Sequence, residues 1–261
     1  MLSMRVYILT DIEGAAGVAS FTNDTYEDGR FYLKARSLLT QEVNAAVDGA
    51  LEAGATEVVV WDGHGPGAVN PEELHEEAKL LHGRGSPPKL LLDRGFDAMM
   101  FVGQHSMNNV PDGNLAHTYS SRDIDEMRLN AVPIGEFGLR TYLAGFYGIP
   151  VVMLTGDEAA CREARALVPN IVTVAVKEGI TREIALSVSP AKARALIRAG
   201  AVEALKRRAQ IAPVPPPPPP YRLEIRYLRA ESADRHAKSG ARRVDLTTVA
   251  IESDNFLDIY R

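Results

Sequence analysis

Asp11 and Glu13 follow the apolar run RVYILT at its carboxyl end. On a strand, side chains two apart project from the same face. The two carboxylates are then held close and repel, and such a pair tolerates double ionisation best around a cation. Other cation ligands occupy matching places. His64 follows TEVVVWD, His105 ends AMMFVGQH, and Glu136 opens the helical stretch GEFGLRTYLAGFYG. In parallel α/β sheets, ligands bind outside the carboxyl ends of the strands, so all five side chains converge on one edge. Mixed Asp, Glu and His donors suit Zn²⁺ or a similar divalent ion. Five protein ligands exceed what one catalytic zinc takes while keeping an open position. If one carboxylate bridges, two metals about 3.5–4 Å apart accommodate the set.

Each of these residues alone has a plainer explanation. Asp11 and Glu13 fit a solvated turn, His64 a loop, His105 a cap, and Glu136 an acid favoured by a helix N-terminus. Their joint placement at strand ends favours a site. Elsewhere the plain explanation holds. Gly63, Gly65 and Gly67 do not make a GxGxxG phosphate loop. Cys161 lies mid-helix among alanines and reads as a structural thiol. Asp123, Asp125 and Glu126 read as a solvated loop, and His75, His82 and His236 as non-ligands.

The elements that must position these groups follow from periodicity. Met4–Thr10 is a first strand and Gly14–Gly29 a long loop. Phe31–Ala53 is a helix with apolar residues at helical spacing, stopped at Gly54. TEVVVWD is a second buried strand, which makes a βαβ unit and hence a parallel sheet. GHGPGAVNPEEL is a loop running into a short acidic helix. Ala98–Gly103 is a strand, Ser106–Arg122 a polar loop containing His117, and MRLNAVPIGE a strand or hairpin edge. Gly135–Gly148 is a helix, IPVVMLTGD a strand, and DEAACREARAL a helix capped by Asp157. After the strand IVTVAVKEGI comes a long helix with Ser189 as N-cap and Pro190 at its first position. PVPPPPPPY is a stiff polyproline spacer. YRLEIRYLR and RRVDLTTVAIES alternate as a half-exposed antiparallel pair. The expected fold is α/β, a mostly parallel sheet with flanking helices plus a small C-terminal β-containing subdomain. The expected divisions are 1–212, a spacer at 213–220, and 221–261.

The chain has 261 residues, 46% hydrophobic and 24% charged, with a net charge of −5. A negative balance argues against nucleic acid or an anionic membrane as partner. One cysteine excludes an intrachain disulfide and fits a reducing compartment. No apolar run approaches the roughly 20 residues of a membrane helix. The opening MLSMRVYILTDIEG has no basic region before its apolar run and carries acids, so it reads as a strand and not a signal peptide. A soluble, cytoplasmic protein is expected.

TDIEG, WDGH, GQH, the histidine of AHTYS, and IGEFGLRTYLAG followed by PVVMLTGD, in this order, resemble the zinc D-aminopeptidase family of the DppA type. The likeness runs from about Arg5 to about Ala209. It implies an α/β protein with two Zn²⁺ per subunit, pentameric rings stacked as a decamer, and release of D-amino acids, typically D-alanine, from short peptides. By motif, it implies that Asp11 contacts both zincs, that Glu13 and His105 hold one, and that His64 and Glu136 hold the other. It makes His117 the catalytic histidine, serving the leaving amine or the oxyanion. Asp157 is a candidate contact for the peptide N-terminus. The alternatives are another metal-dependent amidase or deacetylase, or a non-catalytic metal-stabilised binding protein. A phosphoesterase is disfavoured because no arginine fork is evident near the ligands.

Overall fold

The computed structural model describes residues 3–83 and 88–260. The first strand, β1 (Arg5–Thr10), is apolar on both faces, and Val6 to Leu9 are fully buried. Continuous apolarity of this kind marks an inner strand of a parallel sheet. A loop with one π-helical turn at Phe21–Thr25 leads into α1 (Tyr32–Glu52). The buried side of α1 carries Ala35, Leu39, Val43, Ala46 and Ala50, spaced three or four apart as one helical face requires. β2 (Glu57–Asp62) and β3 (Ala78–Leu81) follow, then β4 (Ala98–Gln104).

The segment between β2 and β3 departs from expectation, because residues 71–77 form turns and no acidic helix. Asn44 of α1 explains this. Its amide nitrogen donates to Glu73 O at 2.7 Å and its oxygen accepts from His75 N at 2.8 Å. These backbone groups are satisfied from outside, so a local helix has nothing to add.

β5 (Ile124–Leu129) and β6 (Val132–Pro133) form a hairpin. α2 (Glu136–Phe146), β7 (Val151–Asp157) and α3 (Glu158–Leu167) follow, with Asp157 capping α3 through Ala160 N as expected. β8 (Val172–Thr181) turns back through the short β9 (Ile184–Ser187). α4 (Pro190–Lys206) begins with Ser189 as N-cap and Pro190 at the first position. The proline run passes α2 with no room for a Cβ between Gly145 and the Val214 carbonyl. The chain then forms β10 (Tyr221–Tyr227), α5 (Ala230–Lys238), β11 (Arg242–Arg243), β12 (Thr248–Ser253) and α6 (Phe256–Ile259).

The main sheet has the order β3-β2-β1-β4-β7-β8-β9, parallel except for β9. The chain builds outward from β1 through β2 to β3, then returns to lay β4 on the other side of β1. Strand order therefore reverses at β1 and β4, where ligand sites of open α/β sheets lie. The second sheet is antiparallel, with the order β11-β12-β10-β5-β6. Its β10 pairs with β5 over Leu223–Tyr227, so residues 221–253 share one sheet with the hairpin at 124–133. Among the described residues, no helix is long and apolar enough to cross a membrane.

Candidate active site

The sheet register places the ligand candidates. Thr10 pairs with Asp62 on one side and with Val102 on the other. Asp11 and Glu13 therefore emerge level with His64 and His105. The backbone continues the pairing past the strand ends, with Asp11 N donating to Val102 O at 2.9 Å and Gly14 N to Gly103 O at 2.7 Å. β1 and β4 come so close that a Cβ on Gly103 would overlap the Asp11 carbonyl oxygen, and one on Gly14 that of Gln104. Gly14 is thus required for this approach of two chains. It is not among the residues with positive φ, so a tight turn is not its purpose.

All five candidates meet. Asp11 turns one oxygen to each of two imidazoles, with Oδ1 3.3 Å from His64 Nδ1 and Oδ2 3.3 Å from His105 Nε2. Glu13 Oε2 lies 3.4 Å from His64 Nδ1, and Glu136 Oε1 lies 3.3 Å from His105 Nε2. The ligand atoms of Asp11, Glu13 and His105 lie within 4.8 Å of one another, as do those of His105, His117 and Glu136. Asp11, Glu13, His105, His117 and Glu136 are buried, and the His64 side chain is 10% exposed.

Each histidine is held by its far nitrogen. His64 Nε2 faces Thr25 O at 2.8 Å, His105 Nδ1 faces Ser106 O at 2.9 Å, and His117 Nδ1 faces Leu115 O at 2.9 Å. A carbonyl accepts only, so the proton stays on that nitrogen and the other ring nitrogen points into the acid cluster. Thr25 belongs to the π-helical turn, and Ser106 and Leu115 to the 106–122 loop. These loops therefore aim the imidazoles. Residues Gly113–Thr118 are buried, unlike the solvated loop that their polarity suggests.

Burial disfavours charge throughout, and the acids and imidazoles overcome it together. Burial opposes charge on His64, but Glu13 and Asp11 lift its pKa well above the ordinary value. Asp11 and Glu136 do the same to His105. Asp11 lies well below its usual range because His105 and His64 outweigh its burial. Glu136 is pulled down to about 2 against its burial, chiefly by Arg140 and then by His105. His117 differs, since burial and the neighbouring His105 push its pKa down.

The donor set fits zinc. The atoms facing inward are carboxylate oxygens and imidazole lone pairs. Among the described residues, Glu13 Oε2 and His105 Nε2 are buried without a hydrogen-bond partner. Such orphaned groups are costly unless something else satisfies them.

Three residues escaped sequence reasoning. Arg140 is buried one turn after Glu136, with Nη1 3.2 Å from Glu136 Oε2 and its guanidinium over Trp61 and Tyr119. An arginine therefore does stand beside the candidate ligands, and the i, i+4 spacing is the available signal. Lys177 is buried in β8. Its Nζ donates to Glu13 O, to Val18 O at 2.6 Å and to Asn114 Oδ1 at 2.7 Å. Nothing local in VAVKEG marks that role. Tyr119 donates its N–H to Glu136 Oε1 at 2.7 Å. Asp157, a candidate contact for the substrate, is already committed, with its oxygens accepting from Ala160 N and Asn114 N. Cys161 is buried with its thiol pushed up to about 12 by burial, as an inert structural cysteine requires.

The site opens into a cavity of about 350 Å³ bounded by Trp61, Tyr26, Tyr119, Ser121 and Arg122 above the acids. A model of the D-aminopeptidase family, peptidase M55, matches residues 4–261. The D-aminopeptidase of Bacillus subtilis (strain 168) is 33% identical over 269 residues, covering 99% of this chain and 94% of that one. A solved structure described as the Zn-dependent D-aminopeptidase DppA from Bacillus subtilis, a self-compartmentalizing protease, superposes with a TM-score of 0.89. It is 32% identical, and the alignment covers 98% of this chain and 94% of that one. With the match running almost end to end, this chain belongs to the M55 family of D-aminopeptidases.

Proposed function

We propose that this chain is a zinc-dependent aminopeptidase that releases the N-terminal residue, D-alanine above all, from short peptides. The observation that carries the binuclear form of this reading is the Asp11 carboxylate, which gives one oxygen to each of two ligand histidines. Asp11, Glu13, His64, His105 and Glu136 would hold two ions there, with Asp11 as the carboxylate shared between them. Zinc bound there supplies Lewis-acid polarisation of the scissile carbonyl and acidifies water. The protein residues do the rest. Glu136 stays ionised beside Arg140. The carbonyls of Thr25 and Ser106 keep His64 and His105 in their ligating tautomers. His117, neutral and with the bare Nε2 facing Glu136 Oε1 at 3.9 Å, takes up the proton that the attacking water loses and, as imidazolium, steadies the oxyanion and passes that proton to the departing amine.

The B. subtilis relative is described as self-compartmentalizing, which supports a homo-oligomer here; pentameric rings stacked into a decamer are the form we propose for it. A cytoplasmic location accords with the lone cysteine. The deciding experiment loads the purified protein with zinc, counts metal per chain, and assays D-Ala-Gly, L-Ala-Gly, an acyl-amine and a phosphate ester. Two zinc ions with selective cleavage of D-Ala-Gly support the reading. Binding of zinc with no cleavage of either peptide rejects it.

A further inference from the structure

Tyr119 stands two residues past His117, against the same ligand. Its N–H donates to Glu136 Oε1, the oxygen that faces His117 Nε2. Its φ is 56°, the left-handed region. A bulky residue held there is strained and persists where the surroundings dictate it. The residue remains 40% exposed. Its ring lies against the Arg140 guanidinium, 5.4 Å from the ring centroid. The ring is thus backed by Arg140 and presents its body to the cavity over the candidate ligands. Behind it lies a second cavity of about 510 Å³, lined by Met127, Leu139, Leu223, Ile225 and Ile259. Tyr119 and Ser120 border both cavities and so form the wall between them.

We propose that Tyr119 sets the size of the leaving residue, and that the apolar cavity behind it receives a larger side chain once the ring is removed. The proposal rests on the reading of His117 as the group serving the departing amine. That amine must come within hydrogen-bond reach of His117 Nε2. The side chain borne by the same residue then starts beside the 117–119 segment and meets the Tyr119 ring. A glycine leaving residue carries no side chain to meet it. A leucine does, and the apolar lining beyond the wall matches leucine chemically.

The test compares kcat/KM for D-Ala-Gly and D-Ala-D-Leu in the zinc-loaded protein and in Tyr119→Gly, Tyr119→Asn and Tyr119→Phe. Glycine and asparagine tolerate positive φ, so the N–H bond to Glu136 is retained. The leucine-to-glycine ratio is expected to rise by about tenfold or more in the first two variants, mainly through KM, and to stay at the wild-type value in Tyr119→Phe. If Tyr119→Gly does not fold, Tyr119→Asn carries the comparison. An unchanged ratio overturns the proposal, as does an equal fall for both peptides, which would mean that Tyr119 only supports Glu136. Failure of the wild type to cleave D-Ala-Gly overturns the reaction itself, and the gate with it. That outcome is recognisable because it precedes any comparison of ratios.

Discussion

The imidazoles of His105 and His117 stack with ring centroids 3.8 Å apart and planes 18° apart. Charge on one therefore disfavours charge on the other, and the two divide their work. His105 directs its free nitrogen to Asp11 and Glu136. His117 stays neutral and able to exchange a proton.

Replacing His117 with alanine should leave two zinc ions bound while lowering kcat by about 10²–10⁴-fold, the usual worth of a positioned proton-transfer group. Metal content by elemental analysis and turnover of D-Ala-Gly check both halves. Normal turnover would remove His117 from the mechanism.

Arg140 keeps Glu136 an anion. In Arg140→Met the guanidinium 3.2 Å from Glu136 Oε2 is gone, and the carboxyl pKa must rise from about 2. Protons then compete with zinc at higher pH, because ligands bind metal only when deprotonated. Zinc affinity at neutral pH should fall by roughly 10–100-fold, as for other groups that support a ligand. Chelator competition followed from pH 5 to 8 should show the loss beginning at higher pH than in the wild type.

Lys177 ties together three oxygens from different parts of the chain. Lys177→Met leaves all three without this donor, at a cost of about 1–3 kcal/mol for each that stays buried and unpaired. Denaturant unfolding should show a loss of several kcal/mol, and zinc should bind more weakly because Glu13 loses its backbone anchor.

Glu42 offers a pH test away from the proposed metal ligands. It accepts Ala16 N at 2.8 Å, and burial raises its pKa from 4.5 to about 7. The folded state therefore holds a proton that the unfolded state releases, so stability falls as pH rises from about 4.5 to 7. The full penalty, about 3 kcal/mol, applies above pH 7. Glu42→Gln removes this slope. The melting temperature of the variant minus that of the wild type should increase from pH 5 to pH 8, and a constant difference would contradict the assignment.

Local pattern made much of this molecule legible. Ser189 followed by Pro190, and Asp157 before an alanine-rich run, mark helix starts because caps and first turns have fixed chemistry. Asp11, Glu13, His64 and His105 were legible because polar groups closing apolar strands are unusual. Long-range partners were not. The amide of Asn44 abolishes a helix at 71–77 from across the fold. The alternation of Leu223, Ile225 and Tyr227 announces a half-buried strand, but nothing in it names β5 as the neighbour. Lys177 looks like any strand lysine until three distant oxygens surround it.

Gly14, Gly103 and Gly156 are points where neighbouring strands touch with no space for a side chain. The spacing of Asp11 from His105 is consequently measured out in peptide atoms, which have no rotamers to choose. Core side chains can be exchanged without altering that gauge, whereas a single methyl group at Gly103 would break it. An engineer who wants a larger ion in this site must change the ligands, because the ruler between them cannot be stretched.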